Sequence, residues 1–185
     1  MPTAIENLDF NKREDCLAYA MCVRKFHEAT AEAVPEYADA VIPMKHAEAL
    51  AIGEAMRFEH LRLVNCSFHK VLKDGKIVAC FLIRSSSQDE NLNLLSQPIY
   101  PIIAFYPADP NAILDNVSAL TFLFGWLRNK GFRKAWFRAP SGKAWFLDKL
   151  AIIPNKKVCE YPGLEYRRQH GIPKAWDVYE VQLQP

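Results

Sequence analysis

The dipeptide Asp74-Gly75 stands between two runs, Phe68–Leu72 and Lys76–Ile83, that are rich in β-branched and aromatic residues. A two-residue turn joining antiparallel strands needs positive φ at both central positions. Asp tolerates that conformation and Gly adopts it without steric cost, so the pattern predicts a β-hairpin. The hairpin commits the middle of the chain to a sheet, and the other segments are read around it.

Before the hairpin the apolar period is helical. Asn11 followed by Glu14 has the spacing of a capping box, and Cys16, Ala20, Val23 and Phe26 then recur on one face, which predicts a first helix ending before Pro35. Pro43 is placed as in a first helical turn, and Met44, Ala47, Ala51, Ala55 and Phe58 mark one face of a second helix. After the hairpin, Ser85 to Gln97 reads as a polar loop and Ile99 to Tyr106 as a strand, in which Pro101 cannot donate a ladder hydrogen bond. Pro110 opens a long helix with Val117, Leu120, Phe124 and Leu127 on its inner face and Gly131 at its end. Phe132 to Arg138 alternates as a strand, Ser141 caps a short helix running to Leu150, and Lys156–Tyr161 and Asp177–Leu183 read as the last strands. An edge strand near Ala4 to Leu8 completes the order.

A length of 185 residues suits one ordinary domain, and a composition of 50% hydrophobic against 24% charged residues supports a buried core rather than disorder. No apolar run approaches the roughly 20 residues that cross a bilayer, and Met1 to Phe10 lacks a signal-peptide pattern, so the expectation is a cytoplasmic protein with no membrane partner. Cys16, Cys22, Cys66, Cys80 and Cys159 are odd in number and form no CxxC pair, as expected of reduced core residues. His46, Glu48, Glu59 and His60 do not have the HExxH spacing, so no metal site is expected. GxSxG, Walker and GxGxxG motifs are missing from the sequence, and Cys66 and His69, three residues apart on a strand, would point to opposite faces.

The order of elements is similar to that of the GNAT N-acyltransferase superfamily over nearly the whole chain. Pro101 falls in the strand that bulges and splays in that family, and Trp145-Phe146-Leu147-Asp148-Lys149-Leu150-Ala151-Ile152 resembles its short helix and following turn. The resemblance implies an α/β fold, a GNAT-like mixed central sheet flanked by helices, formed by residues 1–185 as a single domain. It further implies transfer of an acyl group from acetyl-CoA or another acyl-CoA to an amine on a small molecule or protein. The thioester would lie along Ile102 to Tyr106, with Ile103, Ala104, Phe105, Asn111 and Asn116 as cofactor-binding candidates and His69, Tyr100 and Glu160 as catalytic candidates.

Members of the family hold the CoA diphosphate on glycine-rich backbone at the start of the long helix. The corresponding connection here, Tyr106 to Asn116, contains no glycine and no basic residue. Asp109 and Asp115 add negative charge, and Pro107 and Pro110 remove two amide donors. If CoA binds, another arrangement is implied, with Arg133, Lys134 or Lys143 supplying charge from elsewhere; the other reading of Asp109 to Asn116 is simply a helix-capping loop. The position of the family's proton-donating tyrosine falls on Leu147.

A second function stays open. Residues 1–60 carry 11 acids and 6 bases, whereas residues 126–174 carry 12 bases and 3 acids. A catalytically inactive GNAT-fold interaction module could use that basic stretch as a face for nucleic acid or an acidic protein. Trp126, Trp136, Trp145 and Trp176 lie in or next to the stretch and read either as core or as stacking platforms.

Overall fold

The computed structural model describes residues 3–33, 67–85, 101–140, 145–152, 156–161 and 176–183. In chain order the elements are β1 (Thr3–Asn7), α1 (Arg13–Ala33), β2 (Ser67–Lys73), β3 (Lys76–Ser85), β4 (Pro101–Pro107), α2 (Ile113–Asn129), β5 (Lys134–Pro140), α3 (Trp145–Lys149), β6 (Lys156–Tyr161) and β7 (Trp176–Gln182). The sheet is seven-stranded, with neighbours in the order β1-β2-β3-β4-β5-β7-β6. It is mixed, because β4 and β5 run parallel while β1–β2, β2–β3, β5–β7 and β6–β7 are antiparallel. The expected second helix, Tyr100 and the loop from Gly163 to Lys174 lie outside the described residues.

The chain divides into two units, Met1–Ile83 with Phe105–Leu123 and Arg84–Ala104 with Phe124–Pro185. In the first, the hairpin forms as expected: Asp74 has φ 54° and Gly75 φ 75°, the paired left-handed geometry of a two-residue turn. A bulge between Val71 and Leu72 shifts the β2–β3 register. Residue alternation puts Phe68, Lys70 and Cys80 on the α1 side, where Leu8, Tyr19, Cys22 and Val23 close an apolar cluster around Phe68 and Cys80. Edge-to-face rings bind this cluster: Tyr19 lies 5.6 Å from Phe68 and 6.0 Å from Tyr106, and Phe26 lies 5.7 Å from Tyr106. Cys16, Cys22 and Cys80 are buried free thiols.

The start of α1 differs from the expected capping box. Asn11 bonds to the Asp9 carboxylate, and it is Asp15 that reaches back, accepting the Asp9 amide at 2.8 Å and Lys70 Nζ at 2.7 Å. A half-buried lysine, Lys70, on the facing strand makes Asp15 the better placed acid than Glu14, which lies on the exposed side.

In the second unit, β5 pairs with β7 along its length, from Lys134↔Gln182 to Pro140↔Trp176. Ile102, Trp136 and Val178 form a buried apolar cluster with Val158 against it, so Trp136 is a core residue. The last turn of α2 closes as sequence suggested, with Gly131 at φ 90°, its amide on Arg128 O and the Phe132 amide on Leu127 O. α3 ends in the same hydrogen-bond pattern, Ala151 N to Asp148 O and Ile152 N to Leu147 O, but with an alanine at φ 53° in the glycine position.

Candidate functional site

The expected site begins on β4. Ile103, Ala104 and Phe105 are all buried in the middle of the strand. The β4–β5 ladder consists of Ile102↔Trp136 and Ile103↔Phe137, so among the described residues Ala104 is the first β4 residue past its last pair.

The connection from β4 to α2 is closed on itself. The Ala108 amide donates to Val78 O on β3 at 2.9 Å, tying the first residue after β4 to the hairpin. The Asp109 carboxylate accepts the Asn111 amide at 2.9 Å, an Asx turn of the kind that aspartate favours. The Ala112 amide donates to Asp109 O, the Ile113 amide to Asn111 O and the Asn116 amide to Ala112 O. Asn116 is 1% exposed, and its Nδ2 donates to Asp109 O at 2.9 Å, pinning the loop to the first turn of the helix. Pro107 and Pro110 carry no amide hydrogen. Helix α2 starts at Ile113, three residues later than Pro110 suggested, because the intervening residues are used for this turn.

Charge at the helix start is also matched internally. Asp115 lies in the first turn of α2, where a carboxylate complements the helix dipole, and Lys73 Nζ at the end of β2 donates to it at 2.5 Å. That carboxylate raises the Lys73 ammonium above its usual range, first through the hydrogen bond and then through its charge.

Of the catalytic candidates, His69 and Glu160 lie on different strands. His69 lies on β2, 5% exposed, with its ring stacked on Phe81 at 4.9 Å and Nε2 2.9 Å from Ser67 Oγ. Glu160 lies on β6 opposite Asp177. Tyr100 falls outside the described residues, and Leu147 is buried in α3. Asn111 and Asn116 share the loop described above, Asn111 through its amide and Asn116 through its side chain.

A polar group in the second unit was not picked out from sequence. Asp177 is 1% exposed and lies 2.8 Å from Lys157 Nζ, and the Tyr179 hydroxyl donates to its Oδ2 at 3.1 Å. Burial pushes the Tyr179 phenol up to about 12, helped by the charge of Asp177, the hydrogen bond to it and the charge of Asp148. The signal was the Asp-x-Tyr spacing on a strand, which places both side chains on one face, with Lys157 brought opposite Tyr179 by register. Lys134 of the basic stretch pairs with the buried Glu180 at 3.0 Å, so Lys134 and Lys157 both neutralise interior carboxylates. Among the described residues no group of three or more His, Cys, Asp or Glu side chains is placed to hold a metal ion, and no helix is long and apolar enough to cross a membrane.

No protein-family profile and no curated protein matches the sequence. Solved structures do match in fold. AAC(6')-Ib, solved with ribostamycin and coenzyme A, superposes with a TM-score of 0.62 at 8% identity over 98% of this chain and 94% of its own. A protein described as an acetyltransferase of the GNAT family from Desulfovibrio desulfuricans gives 0.51 at 13% identity, covering 99% of this chain and 100% of its own. The acetyltransferase-like yncA of Salmonella typhimurium, solved with acetyl-CoA, gives 0.51 at 12% identity over 98% and 94%. The chain therefore has the GNAT fold over essentially its whole length.

Proposed function

We propose that residues 1–185 act as one GNAT-like catalytic domain that transfers an acyl group, acetyl being the simplest, from the thioester of acyl-CoA to an amine. The observation that carries this reading is the fold, shared end to end with structures solved with coenzyme A or acetyl-CoA. The end of the β4–β5 ladder at Ile103 supports it, since the acyl arm would lie along β4 from there on.

The reaction is a direct displacement. The amine nitrogen attacks the thioester carbonyl carbon, the C–N bond forms, the C–S bond breaks and its electron pair leaves on sulfur. The attacking nitrogen gives up a proton and the thiolate takes one. Ile103, Ala104 and Phe105 hold the acyl arm through their main chain, His69 or Glu160 accepts the amine proton, and Tyr100 returns a proton to sulfur. The acceptor is a small-molecule amine or a protein amine, and the setting is the cytosol.

The donor fits unevenly. β4 is the strand along which the pantetheine arm would lie, whereas the connection to α2 does not suit a diphosphate. The amides of Ala108, Asn111, Ala112 and Ile113 are already bonded within the protein, and Asp109 stands among them.

Calorimetric titration with acetyl-CoA, with ATP as the control for a generic polyphosphate, tests the reading. The expected outcome is saturable micromolar binding that ATP does not match, followed by release of free thiol when amines are supplied. An absence of acetyl-CoA binding at millimolar concentration overturns it.

A further inference from the structure

We infer that the donor is recognised by its pantetheine thioester and not by its nucleotide, so that acyl-pantetheine without the adenosine diphosphate serves as substrate nearly as well as acyl-CoA. This rests on the acyltransferase reading above and narrows its donor class.

A diphosphate is held by converging amide hydrogens, by cations, or by both. A helix start following the carboxyl end of a strand is where α/β folds place such an anion. Here that position is α2 with its preceding connection, and most of its means of holding an anion are already engaged. Of the connection and first turn, residues 107 and 110 are prolines, and the amides at 108, 111, 112, 113 and 116 donate to Val78 O, the Asp109 carboxylate, Asp109 O, Asn111 O and Ala112 O. To turn them toward a ligand, the chain would have to break the Asx turn and release Asn116 Nδ2 from Asp109 O in a 1% exposed position. Leaving such a buried group unsatisfied opposes that rearrangement.

The charges point the same way. Among the described residues Lys73 reaches the first turn, and its partner is the protein's own Asp115 carboxylate. A diphosphate arriving there would meet Asp109 and Asp115 in addition to that occupied lysine, and like charges repel. The connection is also glycine-free from Tyr106 to Asn116, so every residue presents a side chain or a proline ring where a phosphate would need close approach to backbone. The first turn of α2 thus takes its anion from the chain itself.

The test compares acetyl-CoA with S-acetylpantetheine, as substrates and as ligands. The step is the same for both: the C–S bond breaks, the C–N bond forms, the amine loses a proton and the pantetheine sulfur gains one. With an amine that supports turnover, kcat/KM for S-acetylpantetheine is expected within tenfold of that for acetyl-CoA. A drop of more than tenfold overturns the inference while leaving the acyltransferase intact. Calorimetry with pantetheine, desulfo-CoA and adenosine 3′,5′-bisphosphate reads the inference without turnover. Pantetheine and desulfo-CoA are expected to bind within tenfold of each other and the bisphosphate not to bind. If those affinities agree but no amine is acylated, the acyltransferase reading falls and the recognition inference stands. If the bisphosphate binds saturably, or if neither pantetheine nor desulfo-CoA binds, the inference falls.

Discussion

Asp15 and Asn116 show how single polar side chains are used when they are buried. Burial by itself would raise the Asp15 carboxyl, but the hydrogen bonds from Lys70 and the Asp9 amide, with the charges of Lys70 and Lys12, outweigh it and hold the group below its usual 3.8. A carboxyl lowered in the folded state contributes stability that is present above its unfolded value and is lost as pH falls through the folded one. Asp15→Asn is therefore expected to lower the urea midpoint at pH 7, and the gap from wild type to narrow as the pH is brought below 3.8. An undiminished gap in acid would assign the effect to packing. Asn116→Ala removes the bond that pins the β4–α2 connection, at a cost of about 1–3 kcal/mol for the acceptor left behind, or a fall in Tm of roughly 2–12 °C in a domain of this size. Sequence named Asn116 as a candidate because an amide near a helix start can cap or bind. It could not say which, because the answer depends on Asp109 O coming within 2.9 Å. Lys70 and Asp15 are 55 residues apart, and no local pattern reveals a pair at that separation.

At the scale of elements, the hairpin turn and the helix end at Gly131 were the most legible features because their chemistry is local. Asp74-Gly75 has positive φ at both positions, as the dipeptide demanded. Replacing both residues by valine forces two β-branched side chains into a conformation that costs about 1–2 kcal/mol per residue, so Tm is expected to fall on the order of 4–16 °C in thermal melts. The reverse change is available at the end of α3, where Ala151 occupies the position that Gly131 fills after α2. Ala151→Gly relieves the left-handed alanine and is expected to leave Tm unchanged or raise it by up to roughly 4 °C, the gain being offset by the greater freedom of glycine in the unfolded chain. A clear fall in Tm would mean that the alanine methyl packs usefully. Less legible were features set by distant partners. Pro110 carries a helix-opening signature, but the Asx turn at Asp109 and the bond from Asn116 delay the helix to Ile113. The Asp177–Tyr179–Lys157 group needs the β6–β7 register, including its shift between Lys157 and Cys159, to bring its members together.

For the molecule as a whole, element order alone was enough to point to the fold, because a hairpin, a central strand, a long helix and a closing β pair admit few arrangements. The strand order β1-β2-β3-β4-β5-β7-β6 agrees with that reading. The candidate site was legible only in outline. Its strand could be placed from the pattern around Pro101, but the state of each amide in the following connection is a three-dimensional fact. Ligand linkage offers a measurement on the intact protein: a ligand held at 100 times its dissociation constant stabilises by about 2.7 kcal/mol, which raises Tm by roughly 5–11 °C here. Acetyl-CoA and S-acetylpantetheine, each at that ratio of its own dissociation constant, are expected to give the same shift, and ATP none.

The closed connection between β4 and α2 also bears on timing. A binding loop that must first take shape around its ligand slows arrival and, once wrapped, delays departure. Here the segment nearest the helix start is already fastened by Val78 O, Asp109 and Asn116 before any donor arrives. Donor and spent thiol would then exchange without waiting for that segment to rearrange, and the pace of the cycle would be governed by the chemical step or by the acceptor.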